Sequence, residues 1–312
     1  MKKQLMAAIL ASVTLTYAIP AFAAEDPQSA PADQSTITWG GDITVINYDL
    51  SEAKDNTTTV EFRLTADATI SENTHVLARI TSDEFDITGD NDDYSEDIAL
   101  DNIYIATKLG DFDVNAGRFD ATLGQGLIYD DTLNGVAFAK DKFTVALGRQ
   151  YNLPAVEGGY DLTAIGIKDI QVGSANLGIN YAKVRPIAAS ADVNIWGADA
   201  AFDIDKLGIT AQYAKSDAPG DPNAYRVDAQ FSSSPITLGY QRIETGSITP
   251  ESTLDWSYAD FGAGDEGTKG WDITYSKEVA KNTTFSLKYS DLKGVNSGLK
   301  EQEIRTTLEF IF

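Results

Sequence analysis

Apolar and polar side chains alternate with a period of two through most of this chain, most cleanly at its end. In residues 303–312, Ile304, Thr306, Leu308, Phe310 and Phe312 share one face, while Glu303, Arg305, Thr307 and Glu309 share the other; Ile311 is the one break. Successive side chains of a strand point to opposite sides, so this segment reads as a strand with one apolar and one polar face. Its length suits a tilted membrane-crossing strand of roughly 9–11 residues. The pattern recurs. Phe285, Leu287 and Tyr289 alternate with Thr284, Ser286 and Lys288, and Trp271, Ile273 and Tyr275 with Asp272, Thr274 and Ser276. Tyr225, Val227, Ala229 and Phe231 alternate with Arg226, Asp228 and Gln230, and Val60, Phe62, Leu64, Ala66 and Ala68 with Glu61, Arg63, Thr65, Asp67 and Thr69. No apolar stripe of helical period is sustained, so helices are a minor element.

The alternation predicts sixteen strands, at about 36–48, 58–70, 75–84, 98–109, 112–118, 134–139, 143–151, 160–169, 173–184, 193–204, 207–215, 223–232, 235–243, 269–277, 282–290 and 302–312. Their linkers sort by parity. The even-numbered ones are tight, as in Ser71-Glu72-Asn73-Thr74, Gly110-Asp111, Lys140-Asp141-Lys142 and Asp205-Lys206. The odd-numbered ones are longer, acidic and rich in Gly, Pro, Asp and Ser, as in 86–97, 119–133 and 244–268. A β-sandwich has no reason to sort its loops this way, and a solenoid would show a fixed repeat, which is absent. An even strand count with alternating short and long linkers predicts an all-β fold: a transmembrane up-and-down antiparallel β-barrel over 36–312, with short periplasmic turns and long external loops.

The start of the chain adds an address. Met1-Lys2-Lys3-Gln4, an apolar run over 5–19 and Ala21-Phe22-Ala23 have the order of a signal peptide, expected over 1–23 with a short periplasmic segment at 24–35. The apolar run is shorter than the roughly 20 residues a spanning helix needs. There is no Cys, and a single His, His75, which excludes multi-His metal sites and catalysis by paired imidazoles. The formal net charge of −23 argues against a nucleic-acid partner. Gly262-Ala263-Gly264-Asp265-Glu266-Gly267 matches a dinucleotide fingerprint in letters only, because its own acids would repel phosphate and no βαβ unit surrounds it. The acidic run at 90–97 lacks the central Gly of a calcium loop and reads as solvated surface, loosely bridged by divalent cations to lipopolysaccharide phosphates. No nucleophile motif accompanies His75, so neither enzyme activity nor a cofactor is expected. Trp39, Phe143, Trp196, Phe285 and Phe312, near strand ends, read as an interfacial girdle.

In layout, the whole mature chain resembles a Gram-negative general porin. Two segments carry the resemblance. One is the last strand, whose Leu308, Phe310 and terminal Phe312 look like the signal by which such barrels are recognised by the barrel assembly machinery. The other is Leu109-Gly110-Asp111-Phe112 through Gly117-Arg118-Phe119, followed by a long loop containing Gly and Asp. The resemblance implies a homotrimer in outer-membrane lipid and lipopolysaccharide. It also implies a third external loop, about 119–133, folded into the barrel to narrow it. The loop-three tip motif of the family is missing here.

Sixteen strands leave water in a barrel that eight would fill with side chains. The polar faces then line a wet lumen where charges stay hydrated, since dry burial would be expensive. Each residue climbs about 2.3 Å along a tilted strand. Counting from turns and chain end puts Arg63, Arg79 and Arg305 about 10–16 Å up a band ~25 Å tall, on neighbouring strands. Asp120, Asp130 and Asp131 sit on the third loop, so acid there facing base on the wall would set a field across a constriction. The same arginines also read as ordinary lumen residues paired with wall carboxylates such as Glu61, Asp67 and Glu303. Arg118 is divided: alternation puts it with Phe112 and Val114 on the lipid side, whereas its place in the family layout implies the lumen. The expected function is passive diffusion of small hydrophilic solutes and ions. A substrate-selective channel and a non-transporting adhesin or structural barrel are the rival readings.

Overall fold

In a computed structural model, the described residues are 36–50, 55–82, 85–87, 98–151, 159–187, 191–249 and 267–312. The leader at 1–23, the segment at 24–35, the acidic run at 90–97 and most of the 262–267 glycine motif lie outside them. The strands are β1 (Thr36–Leu50), β2 (Asp55–Ser71), β3 (Thr74–Ser82), β4 (Phe85–Asp86), β5 (Ile98–Leu109) and β6 (Phe112–Leu123). There follow β7 (Tyr129–Lys140), β8 (Phe143–Gln150), β9 (Tyr160–Val172), β10 (Ala175–Pro186), β11 (Val193–Ile204) and β12 (Leu207–Ser216). The last are β13 (Asn223–Phe231), β14 (Ile236–Ile243), β15 (Thr268–Ala280), β16 (Thr283–Gly294) and β17 (Lys300–Ile311). The two-residue β4 pairs with Thr59 and Val60 of β2 beyond the end of β3. It therefore continues the third wall strand, and the wall has sixteen.

Every neighbouring pair is antiparallel, and β17 pairs back onto β1 from Asp42↔Ile311 to Leu50↔Glu303. Closure leaves no strand edge with unpaired backbone groups, the condition for a β-structure to sit in hydrocarbon. The tight turns have a shared chemistry. Gly110, Asp141, Gly173, Asp205 and Asn282 all adopt φ between 51° and 62°. That left-handed region is open to Gly and least costly for Asn and Asp among the rest.

Between its two ends, the outward face carries an apolar belt. Ile43, Phe112, Leu147, Ile165, Ile179, Leu238, Ile273, Leu287 and Leu308 are all exposed. A continuous apolar belt of this extent fits a hydrocarbon environment and would be a liability in water. Trp39, Phe143 and Phe312 mark its inner end, and Trp196, Tyr240 and Trp271 lie toward its outer end. At the seam, Phe312 exchanges backbone hydrogen bonds with Gly41 at 3.0 and 3.1 Å. Its ring lies over Phe62 and beside Phe310, with centroids at 6.3 and 6.2 Å. A Cβ on Gly41 would fall 2.9 Å from Cζ of that ring, so the glycine makes room for the terminal side chain where the barrel closes.

The dry core lies inside the barrel, over one sector of the wall. Ala146 of β8, Ala164 of β9, Ala182 of β10, Ala214 of β12 and Ala224 of β13 are buried together with Phe119, Leu123, Leu127, Ile128, Tyr129 and Leu133. Small residues on the inner face there leave space that larger side chains from β6, β7 and the turn between them fill. Dense filling of that kind is what stabilises a core.

Candidate functional site

The ends of β6 and β7 leave the wall together. Pairing of β6 with β5 stops at Arg118↔Ile103, and pairing of β7 with β8 stops at Asn134↔Arg149. Beyond those points, Phe119↔Leu133 through Leu123↔Tyr129 pair only with each other. Residues 119–133, expected as a long loop, thus form a β-hairpin of their own. Gly117, with φ 137°, stands at the departure point, where a Cβ would meet Ile103 and Tyr104 of β5.

This hairpin lies against inward-facing positions of β8 to β11. Leu133 occupies the space above Gly148, where a Cβ would fall 2.6 Å from its Cγ. Its tip turns through Gly124, Gln125 and Gly126, all with positive φ. There Ile128 fills the space that a side chain on Gly197 of β11 would need. Gln125 Nε2 donates to Asp199 Oδ1 at 2.8 Å, and Asn180 Nδ2 of β10 donates to the other carboxylate oxygen at 2.8 Å. From above, Thr249 donates twice to the Ile128 carbonyl, from its backbone N–H at 3.2 Å and its hydroxyl at 2.5 Å. Ser247, Ile248 and Thr249 are buried. The start of the β14–β15 linker therefore clasps the tip, a contact to which no sequence pattern pointed.

The charged side chains occupy the rest of the inner wall. Arg79 of β3 holds Asp101 through Nε and both carboxylate oxygens of Asp120 through Nη1 and Nη2 at 2.9 Å. It thereby ties the hairpin base to the wall. Arg118 lies opposite Ile103 in the ladder, and its Nε donates to the Asp101 carbonyl. Asp101 is skipped in the pairing of β3 with β5, and this bulge brings its carbonyl within reach. Arg63 bonds Asp42 at 3.0 Å and approaches Glu61 at 3.7 Å. Arg305 bonds Glu303 at 2.7 Å, and its guanidinium carbon stands 4.6 Å from the Tyr48 ring centroid.

The three arginines do not share a ladder row: Arg63 faces Asp42, which faces Ile311, whereas Arg305 faces Tyr48. Since Phe312 pairs with Gly41, β1 runs on past the end of β17, and equal counts from strand ends do not give equal rows. Among the described residues, Asp120 is the one acid of this loop in an ion pair with a wall arginine. Asp130 accepts from Thr122 at 2.7 Å, and Asp131 accepts from the Thr132 backbone and from Gln150 at 2.9 Å, so these two serve the hairpin and β8. Asp67, expected beside an arginine, lies 3.1 Å from Nδ1 of buried His75.

Sequence reasoning missed the most saturated cluster. Arg226 of β13 uses all five guanidinium N–H groups: Nε and Nη2 to Asp228, Nη1 and Nη2 to Asp272 of β15, and Nη1 to Gln241 of β14. Between them lies Gly239, where a Cβ would fall 2.5 Å from Nη2. The signal that could have found it is a glycine at an inward position flanked across two ladders by Asp228 and Asp272. Next along the wall, Lys288 of β16 stands directly opposite Arg305.

No protein-family model matches this chain, and no curated protein matches it in sequence. Solved structures do match in architecture. A loop-deleted form of OmpT, an outer membrane protein of Vibrio cholerae, is 14% identical with a TM-score of 0.61, covering 90% of this chain and 100% of its own. An anion-selective porin from Comamonas acidovorans is 14% identical with a TM-score of 0.59, covering 89% and 100%. OmpF of Salmonella typhi, in complex with daunomycin, is 10% identical with a TM-score of 0.61, covering 89% and 98%. The chain has the fold of outer-membrane porins. At these identities the likeness extends to the closed sixteen-stranded barrel and no further.

Proposed function

We propose that this protein is a porin of a Gram-negative outer membrane, exported by a cleaved leader, and that it passes small hydrophilic solutes and ions by diffusion. The observation that carries the reading is the solvent access that the charged inner wall retains. Arg63 keeps 31% of its side-chain surface open, Arg305 25% and Arg79 21%, although all three are enclosed by the barrel. Ionised groups held this way need water beside them, and a barrel interior lined by them suits the passage of hydrated solutes. On this reading the hairpin over 119–133 is the constriction, with Arg79 and Asp120 at its base. The same reading includes a homotrimer in lipid and lipopolysaccharide, inserted by the barrel assembly machinery through Leu308, Phe310 and Phe312.

Liposome swelling with sugars of increasing size tests it. A general channel admits all small sugars with rates that fall smoothly with size. One sugar far faster than others of its size would mean a selective channel, and no swelling would mean a barrel that does not transport. Selectivity among ions has its own test. With the chain strongly acidic, a salt-gradient reversal potential is expected to show weak cation preference. Replacing both Arg63 and Arg305 with Gln removes two wall cations and should move the potential further toward cations. An unchanged potential would place both side chains away from the ion path.

A further inference from the structure

Four cations stand side by side at the outer end of β14 to β17. Arg242 lies opposite Lys269, Lys269 opposite Lys293, and Lys293 opposite Lys300, in three consecutive ladders. All share the outward parity of Trp271 and Tyr289, whose rings touch at 5.3 Å just inward of the row. Like charges directly opposite across strands repel. In a chain with 24 basic against 47 acidic residues, chance would sooner interleave acids among them. Arg242 has its own counter-ion in Glu244 at 2.8 Å. Hydrogen bonds from the Asn223 backbone and from Arg242 hold that carboxyl below the usual carboxylate range. Lys269 donates to the Val295 carbonyl at 3.1 Å. Among the described residues, no carboxylate lies within 4.0 Å of the ammonium of Lys269, Lys293 or Lys300. Asp291, the acid of the same face one step inward, lies near Gln302. On neighbouring β1, the outward Asn47 and Asp49 stand opposite Thr306 and Ile304, inward of the row, and neither is a cation.

We propose that Lys269, Lys293 and Lys300 form a docking row for the phosphates of an anionic glycolipid in the surrounding leaflet. The occupant is set by height and facing. An outward aromatic pair marks the level of the membrane interface, and cations one step beyond it stand at headgroup level. Strands lie about 4.8 Å apart, so the row spans about 14 Å with Arg242 included, enough to engage a headgroup bearing more than one phosphate. Ammonium–phosphate contacts of this kind are charge-assisted and need no bridging metal. The inference rests on the membrane-embedded reading above.

The test uses the full-length protein in detergent, titrated with bisphosphorylated lipid A in EDTA. A triple variant, Lys269→Gln, Lys293→Gln and Lys300→Gln, is compared with a control pair at the inner end, Lys277→Gln and Lys281→Gln. Near an anionic surface each lysine contributes about a fivefold factor, so the triple variant should bind about a hundredfold more weakly and the control about as wild type. Dephosphorylated lipid A should lose the same affinity as the triple variant, and millimolar inorganic phosphate should not compete. Equal binding by wild type and triple variant, or binding by wild type only when Mg²⁺ is supplied, would overturn the row. Planar-bilayer conductance of the triple variant separates the claims: unchanged channels show that it folds, whatever the lipid result. Should the triple variant not fold, each single Lys→Gln variant is expected to weaken binding about fivefold, and three unaltered singles would overturn the row equally well.

Discussion

Replacing Arg226 with Met is expected to destabilise the barrel by about 3–5 kcal/mol, the largest effect of any single substitution on the inner wall. The guanidinium is 12% exposed and Asp272 only 3%, so little water is available to take over when the cation is removed. Two carboxylates, Asp228 and Asp272, would face each other across Gly239 with no positive charge between them. Denaturant unfolding of detergent-folded protein checks the size of the loss. The origin of the loss is checked by adding Asp228→Asn and Asp272→Asn to Arg226→Met. Neutral partners should recover most of the stability, because the cost lies in the stranded charges rather than in a missing attraction. If the triple change is as unstable as the single one, packing and not charge explains the cluster.

Placing a carboxylate at the hairpin tip, as in Ile128→Asp, is expected to free the hairpin and to leave the wall intact. Ile128 is fully buried over Gly197, beside an anionic group already present in Asp199. Burying an unpaired charge there costs several kcal/mol, more than the roughly 1.5–3 kcal/mol that a charge-assisted bond such as Gln125 to Asp199 supplies. The tip should therefore leave β11, and single-channel conductance should become larger and noisier. The chain has no Cys, which offers an independent readout. Gln125→Cys and Asp199→Cys should cross-link under mild oxidation in the native background and fail to do so once Ile128→Asp is added. Unaltered conductance with cross-linking retained would show that the tip is not held by this contact.

The wall was legible in the sequence because its physics is local. Period-two alternation needs only one chain segment, and β5 and β11 fall on the predicted 98–109 and 193–204. Gly110, Asp141 and Asp205 marked tight turns because a left-handed residue is required there. The interior was legible only in part, for a physical reason. Where the hairpin packs, the inner face is dry, so β8 to β12 carry Ala146, Ala164, Ala182 and Ala214 inward and apolar side chains outward. Alternation fades on such strands, and from one sequence the fading gives no indication of what covers the face. The β-character of the 119–133 hairpin was not readable, since it has no wall neighbour to reveal a face. Pairings of long sequence separation were out of reach for the same reason. Arg226 meets Asp272 46 residues away, and Thr249 meets Ile128 121 residues away; in each case every side chain alone looks ordinary.

Whether the barrel is water-filled and narrowed, not sealed, by its own hairpin is tested most directly by recording the purified protein in a planar bilayer. Discrete, long-lived open steps are predicted for the wild type, with larger and noisier steps for Ile128→Asp. A wild-type barrel that inserts but carries no steady current would contradict it.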